Sequence, residues 1–176
     1  LVCGVSAFLI AYVNQITVDV ITQQKLDAKK AGYEEVYPDA SEYIEEEYEG
    51  TDPVISAVVF AKDGSEDAGV IYTIVPSGYN GTIEALVGFD IETKKITGVK
   101  VLSQAETAGL GANVQESWFT ARFAGKSAEQ ELTVVKTEPG QDNEVQAITA
   151  ATITSNAITS GINAARSDFM ARYGAN

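Results

Sequence analysis

The 176-residue sequence contains no histidine and a single cysteine, Cys3. Without histidine there is no Ser-His-Asp or Cys-His nucleophile pair, no histidine-ligated haem and no histidine zinc site. With one cysteine there is no intrachain disulfide and no thiolate cluster for iron–sulfur or zinc. These absences point to no histidine or thiolate metal site, and if the protein does redox chemistry it needs an organic cofactor. Positive charge is also scarce: 12 Lys and Arg stand against 25 Asp and Glu, a net charge of −13. A balance of that size argues against a nucleic-acid backbone as partner, because its phosphates would be repelled. What remains is ordinary. A hydrophobic content of 45% in a chain of this length suits one domain with its own core.

The first 13 residues, "LVCGVSAFLIAYV", are uncharged and apolar. As a helix they would cover about 20 Å of a hydrocarbon core roughly 30 Å thick. One reading is the exit half of a transmembrane helix, over residues 1–18; the other is a buried N-terminal helix. The chain starts at Leu1 and not at Met, so we expect further residues upstream. Lys25, Lys29 and Lys30 follow the run and would weakly favour a cytoplasmic domain by the positive-inside rule.

Residues 14–31 read as a polar helix that Gly32 would stop. Residues 34–52 hold nine acids and no base, with Ile44, Tyr48 and Tyr43 as a thin apolar stripe. They read as a solvated acidic face, so residues 19–52 form a helical and acidic connector. Residues 53–176 read as the folded domain. Segments 54–60, 69–75, 82–91 and 96–103 are strands by their β-branched and aromatic content, joined by short turns at "KDGSEDA", "PSGYNG" and "ETKK". Thr82, Glu84, Leu86 and Ile91 do not alternate cleanly, which predicts that at least one of the strands 82–91 and 96–103 is buried on both faces. Four strands with short turns give an antiparallel meander, and hence an α+β fold with helices packed on an antiparallel sheet. A helix over 114–124 capped by Asn113, a strand over 131–137 and a final helix from Ile153 complete the order. The apolar positions of that last helix are Ile153, Ala157, Ile158, Ile162, Ala165, Phe169 and Met170.

Two stretches stand out. "AITAATITSNAIT" (147–159) places bare hydroxyls among methyl-sized side chains just before the last helix. A helix start offers unpaired N–H groups and partial positive charge, which suits a phosphate. The small residues Thr149, Ala150 and Ala151 would let a ligand approach the backbone. The plainer alternative is an N-cap from Thr152, Thr154 or Ser155. "AETAGLGAN" (105–113) is a glycine-rich loop.

"ITAATITS" is similar to the Ser/Thr-Gly-Ala-Thr-x-Thr/Ser motif of the FMN-binding domain family. "AETAGLGAN" resembles that family's Glu-Thr-Pro-Gly-Leu-Gly loop, and "GYNGTIEALVGFDIETKKITGVKVLS" resembles the segment before it. Together these cover roughly residues 70–160 in the family's order. Within the family the chain resembles in particular the G subunits of Rnf complexes, membrane-bound ion-translocating ferredoxin:NAD oxidoreductases. The C subunits of sodium-pumping NADH:quinone reductases are related.

The resemblance implies that residues 53–176 are an FMN-binding domain and that FMN is joined to Thr152 through a phosphoester, attached by a separate transferase with FAD as donor. It implies a cofactor site built from Thr149, Ala150, Ala151, Thr154 and Ser155 around that threonine. Glu106, Thr107, Gly109, Leu110 and Gly111 would line the ring. Tyr79, Trp118 and Lys136 are further candidates; core packing for Trp118 and a solvent-facing strand for Lys136 are the alternatives. It also implies a single-pass membrane protein with its domain on the extracytoplasmic side. Its partners would be other membrane subunits, including a second flavin-bearing one. The chain would then be an electron-relay subunit and not a complete enzyme. The alternatives are an FMN domain of another extracytoplasmic reductase and a cofactor-free membrane-anchored scaffold. Four positions depart from the family's pattern. Thr149 replaces the commoner serine, Ala150 the glycine, Gln146 an acid and Ala108 the proline of the loop.

Overall fold

The structure is a computed structural model that describes Ser6, Tyr12, Thr17 and residues 23–174. The apolar run expected to form a membrane helix over 1–18 lies outside the described residues apart from those three. Among the described residues, no helix is long and apolar enough to cross a membrane. The chain divides into two units, residues 1–31 and 32–176.

In the first unit the described residues 23–31 are helical, with a side-chain hydrogen bond of 3.0 Å from Gln23 to Asp27 one turn on. Gly32 does not end this helix. Helical conformation runs over residues 23–36 (α1), of which 32–36 belong to the second unit. Gly32 is there for closeness: a Cβ on it would lie 2.7 Å from Leu86 Cδ1.

The second unit is built on a five-stranded antiparallel meander in sequence order. Its strands are β1 (Glu42–Glu46), β2 (Ile55–Asp63), β3 (Glu66–Ile74), β4 (Glu84–Asp90) and β5 (Ile96–Ser103). Strands β2 to β5 are those the β-branched runs predict. The turn between β2 and β3 is only Gly64–Ser65, with Gly64 in the left-handed region at φ 66°.

β1 corrects the reading of 34–52 as a purely solvated acidic face. It is an edge strand, paired to β2 with Tyr43 opposite Ala61 and Ile44 opposite Phe60. An edge strand packs little of its surface, and its three glutamates guard against pairing with other chains. Tyr43 covers a small second core with Tyr33, Val36, Tyr37, Val59, Ala61, Ile71 and Leu86, and its hydroxyl donates to the Tyr37 carbonyl at 2.8 Å.

The main core lies on the opposite face of the sheet. Ala85, Val87 and Phe89 of β4 point into it while Leu86 points into the smaller one, so β4 is buried on both faces as its broken alternation predicts. After β5 the chain forms a 3-10 turn (Gly111–Gln115) and a short α2 (Ser117–Thr120) in place of the expected continuous helix over 114–124. Glu116 is extended between them at φ −70°, ψ 138°, so Asn113 caps nothing and falls within the 3-10 turn. Val114, Phe119 and Phe123 are nevertheless buried. The strand expected over 131–137 is shorter, β6 (Thr133–Val135), and pairs in parallel with an unforeseen β7 (Glu144–Gln146).

The last helix, α3 (Thr152–Tyr173), buries Ile158, Ile162, Ala165 and Phe169 against the sheet. Phe169 stacks on Phe89 with centroids 4.9 Å apart, and the Tyr72 hydroxyl donates to Asp168 at 2.9 Å. Gly161 permits close approach, since a Cβ there would meet Ile74 at 3.0 Å. Docking of α3 thus rests on ring stacking and aliphatic burial. Phe169→Ala is expected to cost about 3–5 kcal/mol of unfolding free energy. Urea unfolding monitored by circular dichroism checks this; a loss below about 1 kcal/mol would mean that Phe169 does not hold the helix.

Candidate functional site

Three segments distant in sequence meet above one end of the sheet. The first is the β3–β4 turn, closed by Gly78 N–H to the Gly81 carbonyl at 2.7 Å and Ile83 N–H to the Pro76 carbonyl at 2.9 Å. The second is the glycine-rich loop after β5. There the Thr107 carbonyl accepts from Leu110 and Ala112, both at 3.1 Å, and Gly109 supplies a left-handed residue at φ 76°. The third is the entry to α3. Between them is an open cleft of about 440 Å³, lined by Tyr79, Glu106, Thr107, Leu110, Gly111 and residues 150–154.

Glu106 joins the three. It is only 9% exposed. Its carboxylate accepts the backbone N–H of Tyr79 at 3.2 Å and of Asn80 at 2.8 Å, and a short hydrogen bond from the Thr154 hydroxyl. Asn80 adds a bond to the Ala105 carbonyl at 3.0 Å. Two glycines make room for this carboxylate. A Cβ on Gly78 would lie 2.6 Å from Glu106 Oε1. One on Gly111 would lie 2.7 Å from both Glu106 Oε2 and Thr154 Oγ1. Burial by itself would raise the Glu106 pKa. The hydrogen bonds from Thr154 and from the backbone of Asn80, Tyr79 and Gly81 outweigh it and hold the group below its ordinary value of 4.5.

The entry to α3 corrects the expected cap. Its N-cap is Ala151, and no side chain caps the helix. Ser155, buried, instead accepts the Ile148 N–H at 2.9 Å and donates to the Ala151 carbonyl at 3.0 Å, pinning the turn from within. Thr154 is committed to Glu106. Thr152 is half-buried in the cleft wall, and its hydroxyl has no hydrogen-bond partner among the described residues. The first N–H groups of α3 have no intrahelical acceptor, so the helix begins with free donors at the cleft. Ala150, just before, sits at φ 62°. That conformation suits glycine and costs a residue with a Cβ about 1–2 kcal/mol.

Of the residues singled out from sequence, Tyr79, Glu106, Thr107, Leu110, Gly111, Ala150, Ala151, Thr152 and Thr154 line the cleft. Thr149, Gly109, Ser155, Trp118 and Lys136 do not. Gly109 shapes the loop. Exposed Trp118 lies under the Arg122 guanidinium at 4.9 Å, and Arg122 also donates to the Gln146 carbonyl. Lys136 is exposed just beyond β6. One lining residue was missed. Ile153 reads as the first residue of the core stripe, yet it is 57% exposed and forms part of the cleft wall. Its place between two threonines of the motif was the available signal.

Residues 78–167 match the model of the FMN-binding domain, a span that contains every residue lining the cleft. The chain belongs to the FMN-binding domain family. It is 33% identical over 175 residues to the G subunit of the Na(+)-translocating ferredoxin:NAD(+) oxidoreductase complex of Acetobacterium woodii, covering 92% of this chain and 84% of that one. The G subunit of the proton-translocating ferredoxin:NAD(+) oxidoreductase complex of Clostridium ljungdahlii is 32% identical, with 93% and 83% covered. The fold is that of the C subunit of the Na(+)-translocating NADH-quinone reductase from Parabacteroides distasonis. The TM-score is 0.64 at 21% identity, over 89% of this chain and 96% of that one. NqrC of Shewanella oneidensis is also similar, with a TM-score of 0.57 at 20% identity over 68% of this chain and 61% of that one.

The cleft suits this cofactor class. Its volume lies within the range of about 300–1,000 Å³ usual for small-molecule sites. Free helix-end donors suit a phosphate. Tyr79, Leu110 and Ile153, all exposed, offer apolar surface to a flat ring.

Two outcomes follow from this geometry. Ala150→Gly is expected to raise stability by about 0.5–1 kcal/mol, because relief at positive φ outweighs the extra freedom of the unfolded chain. Thermal unfolding checks it, and a destabilised variant would contradict the left-handed assignment. The Glu106 carboxyl has a depressed folded pKa, so its contribution is complete above the ordinary value of 4.5 and is lost as pH falls through the lower folded value. Glu106→Gln should therefore flatten the acid limb of the stability profile below about pH 4.5. An unchanged slope in Tm measured across that window would refute the bonded carboxylate.

Proposed function

We propose that this chain is an electron-transfer subunit of a membrane-bound, ion-translocating ferredoxin:NAD oxidoreductase complex, and that it carries FMN covalently on Thr152. The observation that carries the reading is the Thr152 hydroxyl, free in the uncapped first turn of α3 and open to the cleft, in a chain of the FMN-binding domain family. The relatives named above as G subunits of such complexes support the assignment of the complex.

FMN supplies reversible acceptance and release of electrons, which no side chain of this protein offers. The protein's part is to hold and orient. In the attachment step the Thr152 oxygen forms a bond to the FMN phosphorus of FAD, the pyrophosphate bond breaks, and AMP leaves. The hydroxyl proton passes to the transferase or to solvent. The backbone donors of the first turn of α3 would hold the phosphate, and Thr154 and Ser155 keep that turn in place through Glu106 and Ala151. Leu110, Ile153 and Tyr79 would offer the ring apolar cover and limit water around it. A covalent link prevents loss of the cofactor outside the cytoplasm, where it could not be replaced. In this reading the chain is a single-pass membrane protein with its domain on the extracytoplasmic side. The partners are other membrane subunits of the complex, a second flavin-bearing one among them.

The intact mass of the denatured protein, purified from cells with the transferase, should show an FMN-sized adduct, mapped to Thr152 by peptide analysis. Thr152→Ala should lose the adduct and keep the fold. Flavin released on denaturation would sink the covalent link. Absence of any flavin would sink the whole reading.

A further inference from the structure

We propose that Glu106 places a fixed negative charge in the wall of the cleft and so lowers the reduction potential of the FMN held there. The inference rests on the reading of function above, and it concerns a role that ring contact alone does not give.

Position comes first. The carboxylate lines the cleft, yet is almost wholly withdrawn from bulk water. Its partners come next. All are neutral donors: the backbone N–H groups of Tyr79 and Asn80 at 3.2 and 2.8 Å, that of Gly81, and the Thr154 hydroxyl. These bonds favour the ionised form, so the charge is present at neutral pH. Nothing cancels it locally. No lysine or arginine lines the cleft, and among the described residues Glu106 takes part in no salt bridge.

A fixed anion opposes the arrival of an electron on a neighbouring group. In a partly buried site that opposition is stronger than at the surface and is poorly screened by salt. Among the described residues Glu106 is the only buried carboxylate. Exposed carboxylates lose their influence beyond the Debye length, about 8 Å at physiological ionic strength. The start of α3 carries about half a positive charge and acts in the opposite sense, but in the proposed arrangement the cofactor phosphate occupies it. Glu106 is then the charge left facing the rest of the cleft.

The test is a spectroelectrochemical titration of the full FMN-loaded chain at low and high salt. Glu106→Gln is expected to move the midpoint potential to a more positive value, with the shift retained at high salt. Glu106→Asp, which keeps the charge, should stay close to the unsubstituted protein. Glu116→Gln removes an exposed charge, and any shift it causes should vanish at high salt. An unchanged or more negative potential for Glu106→Gln overturns the proposal. If that variant fails to fold or to load, Thr154→Val decides. It keeps the carboxylate and removes one donor, so a more negative potential is expected and an unchanged one overturns the proposal. Absence of FMN from the unsubstituted chain overturns the reading of function, and this inference with it. FMN present with an unshifted potential overturns this inference alone.

Discussion

The buried carboxylate of Glu106 ties together a β-turn, a glycine-rich loop and the start of the last helix. The segments it joins are separated by 27 and 48 residues in the chain. A buried anion is tolerated only where donors surround it, so the turn and the helix start must each present one to the loop's carboxylate. That requirement explains the glycines at 78 and 111, where a methyl group would collide with the carboxylate. It also explains why Thr154 faces inward although it belongs to a hydroxyl-rich stretch facing a cleft. The site is a consequence of how this one group is satisfied.

The sheet and α3 supply rigidity for that arrangement. Strand β4 is buried on both faces and cannot shift register without moving apolar side chains out of both cores. Phe89 of β4 stacks on Phe169 near the far end of α3, so the helix is held well away from its functional end. The first turn of α3 can then remain uncapped. Its lost capping energy is offset by apolar burial along the rest of the helix. Ala150 adds a local cost of the same kind, a left-handed residue with a side chain beside the cleft.

Much of this was legible in the residues. Four strands follow from β-branched runs between turn signals, and the two-sided burial of β4 follows from its broken alternation. The buried face of α3 follows from helical spacing. β1 was hidden because an edge strand needs few apolar residues and its glutamates resemble a solvated loop. β7 is three residues long, too short for any periodic signal. Gly32 has the signature of a helix stop because helix ends favour glycine, whereas here the absent Cβ serves close packing.

In the site, the small residues around Thr152 and the glycines of the loop could be singled out from sequence, because few other side chains let a ligand near the backbone. Composition alone also meant that any redox chemistry would need an organic cofactor, since histidine is absent and cysteine occurs once. Which hydroxyl stays free was decided only by tertiary structure. Thr152, Thr154 and Ser155 are alike in chemistry and equal as candidate caps. They part because folding brings Glu106 to Thr154 and the Ile148 N–H to Ser155, leaving Thr152 to the cleft. Hydrogen bonds across such sequence separations depend on how segments meet in space, and local pattern carries no record of that.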